Sequence, residues 1–156
     1  MNDLELAQVL ANAADEIALS RYRALDLKVE AKPDRTPVTD ADRAVEQKLR
    51  DLLKLYRPAD SVIGEEFENT GDSNRSWIID PIDGTANYLR GVPIWATLIA
   101  LRVDGELVAS VVSAPALARR WWAASGKGAF TRDIDGTVRK LAASGHLRAC
   151  RCDSKF

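Results

Sequence analysis

The sequence predicts an α+β fold in which two N-terminal helices pack on a mostly antiparallel sheet. Apolar residues recur at helical spacing early in the chain, whereas from Ser61 onward they come in short bursts separated by turn residues. Helical segments followed by a run of strands are typical of a helical layer packed on a sheet. We expect residues 1–156 to form one domain, because 46% of them are hydrophobic.

Two helices are predicted before the strands. The first is expected from about residue 3 to residue 22, and the apolar residues on its inner face are Leu6, Leu10, Ala13, Ala14 and Ile17. The second should start after Thr39, because a hydroxyl N-cap with an acid, Asp42, three positions later forms a capping box. The intervening stretch 28–37 has two prolines and five charges, and we expect an exposed, extended connection there.

The later apolar bursts predict buried strands. Residues 62–63 and 77–79 form two of them, and each is followed by acidic residues. Residues 95–103 and 106–114 are joined by Asp104-Gly105, a dipeptide that favours a tight hairpin turn.

Another strand is expected at Trp121-Trp122, before the glycine turn of residues 126–130. The two tryptophans should mainly cover the sheet, although the pair could stack on a substrate ring. The neighbouring Arg119 and Arg120 are expected to be solvated.

Composition favours a small-molecule partner. Lys and Arg total 22 against 23 Asp and Glu, so the chain has no overall field to attract nucleic acid or an anionic membrane. The longest apolar stretch, 92–101, is about half of the ~20 residues that a membrane helix needs, and we see no export signal.

Cys150 and Cys152 form neither a disulfide framework nor a zinc pattern, which favours reduced thiols and a cytoplasmic location. His146 lacks a ligand partner, so we expect a surface role.

Three acids lie where strands should end: Glu65, Asp80 and Asp83. Pro81 biases Asp80 towards an extended backbone, so Asp80 and Asp83 can face one point. Converging carboxylates repel unless a cation lies between them, and an all-oxygen ligand set suits Mg²⁺, with Mn²⁺ as a second option.

Residues 84–89 follow these acids with the pattern of a helix N-terminus. Its free amides could hold phosphate oxygens beside the metal. Taken alone, Asp83-Gly84 could equally be an ordinary turn, and Glu65-Glu66 a solvated acidic pair. The combination of the two motifs favours a site.

The nonapeptide Asp80 to Tyr88, DPIDGTANY, resembles the signature of the inositol monophosphatase superfamily. The resemblance extends to residues 64–66, 37–42 and 126–130. It implies that this chain is the first half of an αβαβα layered fold and that the activity is metal-dependent hydrolysis of a phosphate monoester. It also implies a homodimer for a full-length protein.

The resemblance implies a role for several residues. Glu65, Asp80, Asp83 and the backbone carbonyl of Ile82 would bind two or more Mg²⁺ ions, with Asp80 shared between two ions.

The resemblance also implies that the substrate phosphate is held by Asp83, Gly84 and Thr85. Asp42 would hydrogen-bond Thr85, and these two residues together with Glu65 would form the catalytic group that activates water. Lys32 is a weaker candidate for a loop lysine near the metal.

Two further stretches bear on the substrate. Residues 90–95 depart from the pattern of typical inositol monophosphatases, and residues 90–101 and 112–122 are similar to the actinobacterial-type histidinol-phosphatases. Histidinol phosphate, in histidine biosynthesis, is therefore the expected substrate. The alternatives are an inositol-1-monophosphatase or a related sugar or nucleotide phosphatase, and a non-catalytic fragment that binds only metal or a partner. Family members are longer, and their C-terminal α/β subdomain is not expected within these residues.

Overall fold

The computed structural model describes residues 1–31 and 36–142, and it confirms the α+β prediction. Helices and strands follow one another along the chain in this order: α1 (Asp3–Arg21), β1 (Val29–Ala31), β2 (Pro37–Thr39), α2 (Asp40–Tyr56), β3 (Ser61–Gly64), β4 (Arg75–Asp83), α3 (Thr85–Leu89), β5 (Ala96–Val103), β6 (Glu106–Ala114), β7 (Arg119–Ala124), β8 (Gly128–Arg132) and β9 (Val138–Leu141). A 3₁₀ turn at Pro115–Leu117 joins β6 to β7.

The main sheet contains seven strands in the order β3 to β9, so that neighbours in space are also neighbours in sequence. All adjacent pairs are antiparallel except β3 and β4, which are parallel. The predicted hairpin between β5 and β6 is confirmed, because Asp104 and Gly105 both have positive φ, at 50° and 89°. A parallel first pair brings the C-terminal ends of β3 and β4 to the same edge of the sheet.

The stretch 28–37 differs from the expected extended loop. Residues Val29–Ala31 pair antiparallel with Pro37–Thr39 in a separate two-stranded ribbon. Pro37 is compatible with this ribbon because it opens an edge strand, where a missing amide hydrogen costs little. Lys32, His146, Cys150 and Cys152 lie outside the described residues, and their predicted roles stay predictions.

Both long helices pack on one face of the sheet. The fully buried stripe of α1 consists of small and aliphatic residues at helical spacing: Leu6, Ala7, Leu10, Ala11, Ala14 and Ala18. The predicted N-cap of α2 is confirmed, since the Thr39 side chain accepts hydrogen bonds from the amides of Ala41 and Asp42. Among the described residues, no helix is long and apolar enough to cross a membrane.

Arg120 corrects the expectation that both arginines before the tryptophans are solvated. The strand period turns Arg120 towards α1, and only 4% of the residue is exposed, whereas Arg119 is partly exposed. Its guanidinium donates to the side chains of Gln8, Asn12, Asp15 and Ser113, at 2.6 to 3.0 Å. A polar stripe on α1 therefore satisfies a buried charge and fixes the helix on the sheet.

We predict that Arg120→Ala lowers the free energy of unfolding by about 3–5 kcal/mol, because it leaves Asp15 buried without its ionic partner. Arg139 is the matched control, since it pairs with Asp133 at 2.7 Å but has a side chain that is 54% exposed. Arg139→Ala should change the stability by about 0.5 kcal/mol or less. Urea unfolding of both variants measures the difference, and equal losses would contradict the anchoring role of Arg120.

Candidate active site

The predicted site residues come from four separate segments that meet at one small cavity. Glu65 follows β3, Asp80 and Asp83 lie at the end of β4, and Thr85 begins α3. The cavity has a volume of about 250 Å³, and its walls are formed by Thr36, Pro37, Glu65, Asp80, Ile82, Asp83, Gly84, Thr85 and Ala86. Asp42, at the start of α2, is buried beneath Thr85. The residues singled out from sequence are thus neighbours in the fold.

A β-bulge at the end of β4 brings two of these acids to the same side. In a regular strand, Asp80 and Asp83 would face opposite sides, because they are an odd number of residues apart. The pairing of β4 with β5 shifts register between them, which changes the alternation of side chains. Pro81 lies in the bulge, where no ladder hydrogen bond from its nitrogen is needed, and its carbonyl accepts from Thr97 Oγ1 at 2.8 Å.

The pKa of Asp80 is strongly raised by its surroundings. Burial, followed by the nearby charges of Glu65, Asp83 and Asp42, raises the pKa of Asp80 to about 8. The Glu65 carboxyl is the neighbour that contributes most to this rise, and the raised pKa keeps a proton on the Asp80 carboxyl at neutral pH. Asp80 Oδ1 is buried and has no hydrogen-bond partner in the described part of the chain. A cation at this point would replace the proton on Asp80 and relieve the repulsion.

Asp42 uses its two carboxylate oxygens for different purposes. Oδ2 accepts from the Thr39 amide at 2.8 Å and from the Thr39 hydroxyl at 2.5 Å, which completes the capping box of α2. Oδ1 lies 3.2 Å from Thr85 Oγ1, which also lies 3.0 Å from the carbonyl oxygen of Ile82. Burial raises the pKa of Asp42, and its hydrogen bonds oppose that rise. The same acid therefore caps a helix and orients the threonine hydroxyl.

Gly84 makes the sharp entry into α3. Its φ is +87°, and a Cβ at this position would lie 3.1 Å from the carbonyl oxygen of Ile94, so a side chain is disfavoured on both counts. Asn87 Nδ2 donates to that same carbonyl at 2.9 Å. Tyr88 donates through its hydroxyl to the carbonyl oxygen of Ala18 at 2.7 Å, which ties the short helix to α1. The backbone next to Asp83 is therefore held in one conformation.

The donor set fits a hard divalent cation. Glu65, Asp80, Asp83 and the Ile82 carbonyl offer only oxygen atoms, which Mg²⁺ and Mn²⁺ prefer. Among residues 1–31 and 36–142, no three acidic, histidine or cysteine side chains are already arranged as a coordination sphere. The unpartnered Oδ1 of Asp80 supports the fit, and the proton that the raised pKa keeps on Asp80 is the one that a cation would displace.

A second, more apolar cleft adjoins the cavity. It has a volume of about 430 Å³ and shares Asp83 and Gly84 with the acidic cavity. The rest of its wall is formed by Asn87, Ile94, Trp95, Ala96, Ala114, Leu117 and Trp121. Trp121 lies in this cleft under the guanidinium of Arg119, at 5.0 Å, whereas Trp122 stacks on Phe130. The cleft can receive the organic part of a molecule whose charged end lies in the acidic cavity.

Glu46 is a residue near the site that was not predicted from the sequence. It is fully buried on α2 and accepts from the backbone amides of Glu65 and Glu66. One signal was available. Glu46 lies four residues after Asp42 and beside Val45 and Leu49, so helical periodicity places an acid inside the apolar stripe of α2.

The chain matches the Inositol monophosphatase family over residues 2–153. The histidinol-phosphatase of Mycobacterium tuberculosis is 59% identical over 136 residues, which cover 86% of this chain and 52% of that protein. The histidinol-phosphatase of Streptomyces coelicolor is 58% identical, covering 84% and 51%. The inositol-1-monophosphatase of Rhizobium meliloti is 36% identical, covering 82% and 49%.

Solved structures give the same result for the fold. The structure of the extragenic suppressor protein SuhB from Bartonella henselae superposes with a TM-score of 0.82 at 32% identity, over 91% of this chain and 54% of that one. The chain thus spans about half the length of the curated relatives and structures that it matches.

We predict that Asp80→Asn stabilises the metal-free chain at high pH. The raised pKa of about 8 means that the folded state binds this proton more tightly than the unfolded chain does, so this contribution to stability is present at acidic pH and is lost as the pH rises through about 8. An asparagine cannot ionise. The variant should match the parent near pH 4, where Asp80 is protonated in both the folded and the unfolded chain, and exceed it at pH 9 by about 1–3 kcal/mol, a range discounted for partial solvent access.

Urea unfolding in the presence of a chelator, at several pH values, measures this difference. The control is Asp72→Asn, which neutralises an exposed aspartate. If the free energy of unfolding changed with pH in the same way for Asp80→Asn and the parent chain, the proposed repulsion at Asp80 would be contradicted.

Proposed function

The chain belongs to the inositol monophosphatase family, and we propose that it is the metal-binding and phosphate-binding half of a Mg²⁺-dependent phosphomonoesterase acting on histidinol phosphate. One observation carries the proposal most directly: Asp80 is held among three other carboxylates with an unpartnered buried oxygen. The proposal places the protein in histidine biosynthesis, in the cytoplasm.

Each carboxylate has a defined part in this proposal. Glu65, Asp80, Asp83 and the Ile82 carbonyl would hold two or more Mg²⁺ ions, with Mn²⁺ as a substitute, and Asp80 would be a ligand shared by two of them. When bound, the cations neutralise the phosphoryl charge and stabilise the departing oxygen. Asp80 must lose its proton for this role, because a protonated carboxyl group is a poor metal ligand.

Thr85 and Asp42 orient the attacking water. The Thr85 hydroxyl has one proton and two acceptors within reach, Asp42 Oδ1 at 3.2 Å and the Ile82 carbonyl oxygen at 3.0 Å. With that carbonyl engaged as a metal ligand, the proton would go to Asp42, and the threonine oxygen would accept a hydrogen bond from water. Asp42 is in turn fixed by Thr39, so the hydroxyl direction is set before substrate arrives. The backbone of Gly84 and Thr85, next to Asp83, holds the phosphate oxygens.

Substrate choice follows from the adjoining cleft. A phosphate bound at Gly84 and Thr85 directs the rest of the molecule into the cleft that contains Trp95 and Trp121, where a flat imidazole ring can pack. The identity of 58–59% to relatives named histidinol-phosphatase supports this choice. Inositol 1-phosphate is the second candidate, supported by relatives named inositol-1-monophosphatase at the lower identities of 36% and 42%.

We predict that Mg²⁺ raises the melting temperature of the chain and that the rise is larger at pH 8.5 than at pH 6, because the cation competes with the Asp80 proton. Asp80→Asn should abolish this response, and Asp72→Asn should keep it. Calorimetry in two buffers of different ionisation enthalpy measures the proton released on binding. A response to Mg²⁺ that is independent of pH and of Asp80 would reject the metal assignment.

We predict that histidinol phosphate is hydrolysed with a higher kcat/KM than inositol 1-phosphate. The test protein is a chimera in which residues 1–142 replace the matching half of the Mycobacterium tuberculosis relative, because the chain itself spans only half of that protein and should turn over little or no substrate.

The controls for this assay are the unmodified relative and the chimera carrying Asp80→Asn. A preference for inositol 1-phosphate would overturn the substrate assignment. A chimera that folds and binds Mg²⁺ but hydrolyses neither substrate would support the non-catalytic alternative.

A further inference from the structure

We infer that Glu46 and Arg50 of α2 are positioning residues that set the backbone of Glu65, and that they thereby tune the affinity of the acidic cavity for a divalent cation. The inference rests on the proposed function for its metal part only. Its structural part, that Glu46 holds the backbone of residues 64–66, rests on hydrogen bonds from Glu46 to that backbone.

Glu46 is a fully buried carboxylate that binds the chain where β3 ends. Its Oε2 accepts from the backbone amide of Glu65 at 3.0 Å and from that of Glu66 at 2.7 Å. Two successive amides directed at one anionic oxygen are strong, charge-assisted hydrogen bonds. They fix the peptide planes on both sides of the Glu65 Cα atom, and therefore the direction in which its side chain leaves the backbone.

Arg50 completes the arrangement one helical turn later. Its Nε donates to Glu46 Oε1 at 2.8 Å, and its side chain is only 12% exposed. The same guanidinium lies 3.3 Å from the carbonyl oxygen of Phe67 and 3.4 Å from Thr70 Oγ1. The ion pair thus binds the segment that follows Glu65 at several points.

Gly64 shows how closely the two segments approach. A Cβ built at this position would overlap the Glu46 carboxylate and would lie 2.8 Å from Arg50 Nη2. The glycine is needed here for contact with a buried ion pair, since its φ lies outside the left-handed range. A side chain at residue 64 would push Glu46 away from the two amides.

Helix α2 therefore presents two buried acids to the site, one turn apart. Asp42 holds the Thr85 hydroxyl, and Glu46 holds the Glu65 backbone. Burying a carboxylate is costly unless it is paired and hydrogen-bonded, and apolar residues of similar volume would often give equal or greater stability. The specific effect of Glu46 is on the direction of a candidate ligand, and groups that orient ligands typically change metal affinity by about 10–100-fold.

The test compares Glu46→Gln with Asp15→Asn. The Asp15–Arg120 pair is also buried, with side-chain exposures of 16% and 4% against 0% and 12% for Glu46 and Arg50, but it lies between α1 and the sheet. Both substitutions remove one charge from a buried pair and keep the side-chain volume. A merely structural role for Glu46 predicts the same behaviour for the two variants.

Two measurements on the full chain distinguish a positioning role from a merely structural role of Glu46. Amide hydrogen exchange by NMR should show the Glu65 and Glu66 amides exchanging at least about tenfold faster in Glu46→Gln than in Asp15→Asn. Titration with Mn²⁺, followed by electron paramagnetic resonance, should give a Kd about tenfold higher for Glu46→Gln and within about twofold of the parent for Asp15→Asn. Gly64→Ala should reproduce the Glu46→Gln pattern, and Arg50→Gln provides a milder variant if Glu46→Gln does not fold.

Equal amide protection of residues 65 and 66 in the two charge variants would overturn the inference, whatever the metal result. Faster exchange in Glu46→Gln with an unchanged Mn²⁺ affinity would overturn its link to the cation. If the parent chain binds no Mn²⁺, the proposed metal site fails, but the exchange data still decide whether Glu46 holds the backbone.

Discussion

Repulsion among four carboxylates is the constraint on which the rest of this structure depends. Asp42, Glu65, Asp80 and Asp83 surround or underlie one small cavity, and their charges, together with burial, raise the pKa of Asp80 to about 8. Such a cluster opposes folding unless protons or cations balance it. The surrounding fold must therefore hold side chains in positions that they would not adopt by themselves.

Features of the local structure position each of these acids. The parallel pairing of β3 and β4 brings Glu65 and Asp80 to one edge of the sheet, and the bulge at Pro81 turns Asp83 to the same side. The capping box of α2 fixes Asp42, and the positive φ of Gly84 starts α3 next to Asp83. Because strand pairing, a bulge, a helix cap and a turn set these positions, the positions of the acids do not depend on attraction between them.

Two buried ion pairs connect the helical layer to the sheet and the site. Arg120 reaches from β7 to the polar stripe of α1, and Glu46 with Arg50 reaches from α2 to the end of β3. Buried ion pairs add little net stability compared with apolar packing, but they are selective about geometry. In this chain they fix where each helix lies relative to the strands that carry the acids.

Much of this protein could be predicted from its sequence, because the relevant signals are local. The period of apolar residues predicted both long helices, Asp104-Gly105 predicted the hairpin, and the run from Asp80 to Tyr88 identified the family and the candidate ligands. A capping box, a two-residue turn and a nine-residue signature each depend on neighbours in the chain.

Tertiary structure decided what depends on contacts between distant residues. The pairing of 29–31 with 37–39, the burial of Arg120 against α1, and the bonds from Glu46 to the Glu65 backbone join residues between 6 and 112 positions apart. The residue type alone does not show whether a charged side chain is solvated or buried with a partner. Only the packing of α1 and α2 on the sheet determines which arginine and which glutamate are removed from water, because the partner that offsets the loss of hydration lies in another element.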